Sequence, residues 1–198
     1  MGFTILQQLP APARHGWTVE EFERLFEAGF FAPDAKLELI EGEVWEKMTQ
    51  KTPHATAVTL AQYLLTSVFE VGFVVRIQLP IILGETSKPE PDIAVCSGSV
   101  RDYSQNHPTT AVLVVEISDA TLIPDQQTKA PLYARAGIAE YWIVNLIERV
   151  LEVRRGPVAM PAQALGFGYR TKTVLQSGET ISPLGAPDSV VRVEDLLP

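Results

Sequence analysis

The run Ala111-Val112-Leu113-Val114-Val115-Glu116-Ile117 constrains this chain more than any other segment. So unbroken an apolar stretch reads as a strand buried on both faces, the habit of sheets that are covered by helices on either side. A second apolar strand, Tyr141 to Asn145, follows after one helix's length of sequence closed by Gly137. Two such strands joined by a helix form a parallel pair with a right-handed crossover. The chain is therefore expected to build an α/β (α+β) domain.

Other segments fill in that frame. Thr18-Val19-Glu20-Glu21 fits a capping box, and Val19, Phe22, Leu25 and Phe26 line one face of an entry helix that stops at Gly29. Lys36 to Ile40 and Glu43 to Met48 alternate around Glu41-Gly42, a hairpin turn. Pro53 starts a helix that ends near Gly72. Phe73 to Leu83 reads as one long strand, broken or bulged at Pro80. A strand follows at Asp92 to Cys96. Val150 to Arg154, Tyr169 to Leu175 and Val190 to Val193 are expected to complete the sheet as a β-rich C-terminal extension, with 156–168 as a loop. No repeat or linker divides the chain, so residues 1–17 form an N-terminal arm and 18–198 a single domain.

Glu116 is the anomaly in this pattern. A carboxylate inside a doubly buried strand costs several kcal/mol unless a cation, a proton or hydrogen bonds compensate it. Asp92, in Pro89-Glu90-Pro91-Asp92-Ile93, opens the neighbouring apolar strand. A divalent metal shared by the two acids would meet the need. Hard carboxylate oxygens suit Mg2+, which takes one or two protein carboxylates and completes its sphere with water and phosphate. The alternative is a partly solvated strand-end acid paired with a lysine or arginine.

The helix that follows supplies a cation. Asp125, Lys129 and Tyr133 are spaced i, i+4, i+8 and share a face. If that face looks back at the strand ends, Lys129 reaches the carboxylates. Pro131 would break a helix starting at Asp125, so either Thr128 is the N-cap, placing the proline in the first turn, or the helix is kinked.

Composition bounds the function. At 198 residues, 46% hydrophobic and 20% charged, the chain can bury an enzyme-sized core. Its single cysteine, Cys96, excludes an internal disulfide and reads as a buried thiol, which points to the reducing cytoplasm. No segment approaches a membrane span or a signal peptide. The net charge of −8 argues against a broad basic grip on nucleic acid. The sign is uneven, however. Residues 18–50 carry nine acids against Arg24, Lys36 and Lys47, whereas 121–175 carry seven bases against four acids, so any nucleic-acid footprint belongs to the second half.

Pro91-Asp92, Glu116-Ile117-Ser118, Lys129, Tyr133 and Gly137-Ile138-Ala139-Glu140-Tyr141-Trp142-Ile143-Val144-Asn145 occur in an order that resembles the Uma-type restriction endonuclease family of the PD-(D/E)XK nuclease superfamily. The match extends upstream to Leu37-Glu38-Leu39-Ile40-Glu41-Gly42-Glu43 and His54, over roughly residues 18 to 196. It implies a restriction-endonuclease-like mixed sheet flanked by helices. The superfamily pattern wants a lysine two residues after the glutamate, where this chain has Ser118, and the resemblance carries that role to Lys129. It also favours Glu38 over Glu41 as a third acidic group. Periodicity alone would leave Glu38 an exposed strand acid. His54, at a helix start whose positive dipole end favours neutral imidazole, gains a site role because its helix should run beside the paired acids.

Three readings follow. The first is a Mg2+-dependent DNA endonuclease, with Mn2+ as substitute, in which Asp92, Glu116 and the carbonyl of Ile117 hold the metal and Lys129 steadies the phosphate. The second is a nuclease-fold DNA-binding module that has lost cleavage. The third is a metal-dependent hydrolase of a small phosphoester. Double-strand cutting needs two sites, so a homodimer is expected.

Overall fold

The computed structural model describes residues 15–47 and 49–198. The expected arm, residues 1–17, lies mostly outside the described residues, as does Met48. The first helix, α1 (Val19–Glu27), opens with the expected capping box: the Thr18 hydroxyl accepts from the Glu21 N–H, and the Glu21 carboxylate accepts from the Thr18 N–H. The hairpin β1 (Leu37–Ile40) and β2 (Glu43–Glu46) turns at Glu41-Gly42, and both turn residues have positive φ. Gly42 packs against Gly16 and Trp17 so closely that any Cβ there would clash with backbone.

Helix α2 (Thr52–Val68) then leads to the main sheet. Its strands are β3 (Phe73–Ile77), β4 (Ile93–Ser97), β5 (Leu113–Ser118), β6 (Glu140–Asn145), β7 (Val150–Ala159) and β8 (Phe167–Gln176), hydrogen-bonded in chain order. Only β5 and β6 run parallel; every other pairing is antiparallel. The sheet is thus mixed and flanked by helices. On one face Ala57, Val58, Ala61 and Leu65 of α2 pack on Ile93, Val95, Val115, Ile117, Trp142 and Val144. On the other, Ala130, Leu132 and Tyr133 cover Ala94, Val114, Tyr141 and Ile143. The strands β5 and β6 are buried at every residue, as their apolar runs require.

Four details depart from the expectation. The strand expected over 73–83 ends at Ile77, because Gln78 takes a left-handed φ of 50° and turns the chain out of the sheet. Ile81 and Leu83 are nevertheless buried, in irregular backbone that bonds Pro89 and Ser87. Next, the loop expected over 156–168 is shorter: β7 runs to Ala159 and β8 begins at Phe167, leaving 160–166 between them. Gly156, at φ 69°, bends β7, and Pro157 lies beyond Arg155, the last residue that pairs with β6. Its missing N–H therefore breaks no ladder bond on that side. Third, Val191–Arg192 (β10) pairs only with Thr180–Ile181 (β9), outside the main sheet. Fourth, Thr128 is no N-cap. The crossover comprises α3 (Leu122–Pro124), a π-helical turn (Asp125–Lys129) and α4 (Ala130–Arg135). In the π turn the Ala130 N–H reaches the Asp125 carbonyl, a widened register entering the proline at Pro131.

Glu140 fastens the C-terminal segment. Fully buried, it accepts from Arg155 Nε and Nη2 at 2.8 and 2.6 Å, Trp142 Nε1 at 2.9 Å and the Leu184 N–H at 2.6 Å. Glu140→Ala strands these donors, so urea denaturation should show a loss of about 2–3 kcal/mol. Cys96 is buried, and burial pushes its thiol up to about 11. A thiol-specific disulfide reagent should leave the native protein unmodified and titrate one thiol in denaturant. Among the described residues, no helix is long and apolar enough to cross a membrane.

Candidate active site

The antiparallel register of β4 on β5 pairs Ile93 with Val115, which places Asp92 and Glu116 as the next cross-strand neighbours. Side chains so related lie on one face of a sheet, within contact of each other. The Asp92 N–H indeed points to Glu116 Oε2 at 3.4 Å, and the Ile117 N–H donates to Asp92 Oδ2 at 2.9 Å. Both acids are 4% exposed.

Lys129 reaches this pair from the π turn. Its Nζ lies 3.1 Å from Glu116 Oε1 and 3.2 Å from Glu38 Oε1. Ser118 stands two residues beyond Glu116 on the same strand and therefore on the same face. The helix thus delivers an ammonium to the region that a side chain at position 118 would face. The Tyr133 hydroxyl donates to Glu116 Oε1 at 2.8 Å. Glu38 is buried, not an exposed strand acid, because its hairpin folds over the site, and its other oxygen accepts from the Glu90 N–H at 3.2 Å. His54, third residue of α2, places Nε2 3.1 Å from Asp92 Oδ1. All six of the expected side chains are thereby brought together, and Ile117 with them.

Glu41 and Arg135 are not part of this group. They pair with each other, Arg135 Nη1 lying 2.7 Å from Glu41 Oε2, and Ser87 donates to the same carboxylate.

Two further residues join the cluster. Gln78 Nε2 donates to Asp92 Oδ1 at 3.1 Å, and its N–H donates to the Asp92 carbonyl. The left-handed turn that ends β3 aims it there, and a sequence read as continuous strand carries no signal of it. Asp125, 2% exposed, accepts from Thr121 Oγ1 at 2.7 Å and adds to the negative field on Lys129. Its i, i+4 spacing to Lys129 was the available signal.

The charges are strongly coupled. Burial opposes ionisation of Asp92, but the bond from His54, its charge and the Ile117 N–H outweigh it and hold the carboxyl below its ordinary value. Burial pushes Glu116 up to about 7, relieved in part by Lys129 and reinforced by Asp125, Asp92 and Glu38. Asp125 rises to about 6, chiefly by burial. Burial would lower Lys129, yet Glu116, Glu38 and Asp125 drive its pKa far up, so it stays charged. Burial also disfavours imidazolium at His54, but the bond and charge of Asp92 prevail and raise its pKa, against the neutral form that a helix start favours.

This donor set fits a hard divalent cation. Asp92, Glu116, Glu38 and Asp125 are buried acids facing one buried lysine and one histidine. Among the described residues the Asp92 N–H, at 3.4 Å, is the sole donor on Glu116 Oε2. Asp92 Oδ2 likewise carries only the Ile117 N–H among them. Each oxygen keeps further acceptor capacity. No three His, Cys, Asp or Glu side chains among the described residues converge into a metal cage. That is compatible with Mg2+, whose sphere is completed by water and phosphate.

The chain matches the family model Uma2, described as "Putative restriction endonuclease", over residues 19–194. Four chains among solved structures match. One is a putative nuclease belonging to DUF820 from Anabaena variabilis, which aligns with a TM-score of 0.67 over 91% of this chain and 97% of its own, at 18% identity. That likeness speaks to the fold. No curated protein matches. A match over nearly all of the described residues, together with a shared fold, places this chain in the Uma2 restriction endonuclease family.

Proposed function

We propose that this protein is a divalent-metal-dependent DNA endonuclease. The observation that carries the reading is the convergence of Asp92, Glu116 and Lys129, with Lys129 Nζ 3.1 Å from Glu116 Oε1. Asp92 and Glu116 would hold Mg2+ or Mn2+, with the Ile117 carbonyl. The cation would supply Lewis acidity at the phosphoryl oxygen and an attacking water of lowered pKa.

The chain's own groups do the rest. Lys129, pinned between Glu38 and Glu116, presents a fixed positive charge for the phosphoryl oxygens as charge builds in the transition state. Glu38 is a positioning residue that holds the ammonium in place from the hairpin side. Tyr133 does the same through Glu116 Oε1. His54 and Gln78 occupy Asp92 Oδ1 and so orient the carboxylate, leaving Oδ2 with the Ile117 N–H alone among the described residues. His54 is also placed to pass a proton to or from Asp92.

A labelled DNA strand incubated with Mg2+ or Mn2+ tests the reading. Wild type should cut it, chelator should stop the reaction, and Asp92→Asn should be inactive. Metal-dependent cleavage at the wild-type rate by Asp92→Asn would overturn the assignment. A binding module would retain the strand without cutting it. The proposed assembly is a homodimer, which light scattering at assay concentration measures. The single buried thiol, Cys96, fits a cytoplasmic location.

A further inference from the structure

We propose that the DNA this site takes is unpaired, a single strand that enters the cleft with a base against Trp45. The inference rests on the nuclease reading and adds the class of substrate.

The first argument is depth. Asp92, Glu116 and Lys129 are 4%, 4% and 7% exposed, so they form the floor of a recess rather than part of an open surface. The recess has a volume of about 170 Å³, below the roughly 300–1,000 Å³ of ordinary small-molecule sites. Trp45, Glu46, Lys47, Thr49 and Gln50 line it from the hairpin, and Asp119, Ala120, Thr121, Pro124 and Asp125 line it from the start of the crossover. A duplex is stiff over about 50 nm and presents its phosphates on a broad cylinder. A floor so little exposed is harder for such a cylinder to reach than for a single flexible backbone. One flexible strand can bend its backbone inward.

The second argument is charge. Glu38, Glu46, Asp92, Glu116, Asp119 and Asp125 line the recess against Lys47 and Lys129. Both lysines are engaged: Lys129 by two carboxylates, Lys47 by the Glu90 carbonyl at 2.7 Å. Affinity for DNA, paired or unpaired, comes largely from cations that neutralise phosphates, and this mouth lacks a row of them among its lining residues, so another kind of contact must supply much of the binding.

The third is Trp45. It is the cross-strand partner of Glu38 on the hairpin, so its side chain stands on the same face as the acid that holds Lys129. It is half-buried and lines the recess. An aromatic wall beside an acidic floor favours stacking as the source of affinity, and stacking requires an unpaired base.

Binding is measured by fluorescence anisotropy with end-labelled oligothymidylate and with the duplex it forms with oligoadenylate. Ca2+ replaces Mg2+ so that neither probe is cut. The single strand should bind at least about tenfold tighter. Trp45→Ala should remove most of that preference, and Trp45→Phe should keep it. Trp45 also packs against the core beneath α4. Should the alanine variant not fold, Trp45→Leu, which keeps the apolar contact without a ring, takes its place. A duplex bound as tightly as the strand overturns the proposal. So does a folded ringless variant with the wild-type ratio. The same probes with Mn2+ separate the two readings. Strand preference without cleavage would sink hydrolysis alone. Efficient cutting and tight binding of the duplex would sink the unpaired substrate alone.

Discussion

Lys129→Ala is expected to lower the rate of metal-dependent DNA cleavage by about two orders of magnitude or more while leaving divalent-cation binding in place. A positioned charge in a water-poor site stabilises the transition state by about 3 kcal/mol, and its loss appears in the turnover of bound substrate. The fold should survive the substitution. Glu116, already pushed up to about 7, takes a proton more readily once the ammonium is gone, which relieves the repulsion from Glu38. Circular dichroism and thermal melting check this. Lys129→Arg should recover little, because the guanidinium is larger than the gap between two carboxylates 3.1 and 3.2 Å from Nζ. Tyr133→Phe removes one donor from Glu116 and should have a smaller effect. Arg135→Ala should cut at close to the wild-type rate, since its guanidinium is committed to Glu41. Full activity in Lys129→Ala would assign the role to the metal alone or to another cation.

Much of this site was legible in the sequence. Strand periodicity and an apolar run fix which face Glu116 takes, and the short strand at Asp92 lies beside it for the same reason: neither segment can leave the core. Helical spacing placed Lys129 and Tyr133 on one face. Spacing left open whether that face looks toward Glu116; the packing of Ala130, Leu132 and Tyr133 on the sheet decides it. Glu38 was not legible from periodicity. Alternation gives two faces of a strand, but β1 belongs to a separate hairpin whose inward face is decided by how the hairpin docks.

The remaining gaps have similar causes. Gln78 follows three β-branched or long residues that favour extended backbone, and the left-handed turn there is stabilised by its bonds to Asp92, distant in sequence. A residue held in that region stores strain that the surrounding contacts must offset, and such strain clusters at functional positions. The π turn before Pro131 was half legible: the proline announced a disturbance, but a widened register and a fresh N-cap are alternatives that local sequence does not separate. The extension of β7 past Gly156-Pro157 was hidden because both residues are ordinarily breakers, and only the end of β6 pairing at Arg155 makes them harmless.

The acid pair itself carries the largest expected effect. Asp92 and Glu116 sit beside each other with acceptor capacity to spare, in a field of four buried acids and one lysine. Without a divalent cation burial and the acidic neighbours hold Glu116 up to about 7, so Glu116→Ala should leave the apo-protein folded, whereas Asp92→Ala gives up the bonds from His54, Gln78 and the Ile117 N–H and should cost some stability without unfolding it. With the cation, each supplies a ligand that the other cannot replace, because Mg2+ binds poorly to a site with a single protein carboxylate and no substrate. Calorimetric titration of Mn2+ into the wild type and into Asp92→Ala and Glu116→Ala, all three shown to be folded, tests this most directly. Saturable binding near one ion per chain is predicted for the wild type, and its disappearance in either variant. Wild-type binding that persists in both variants would contradict a metal site at Asp92 and Glu116.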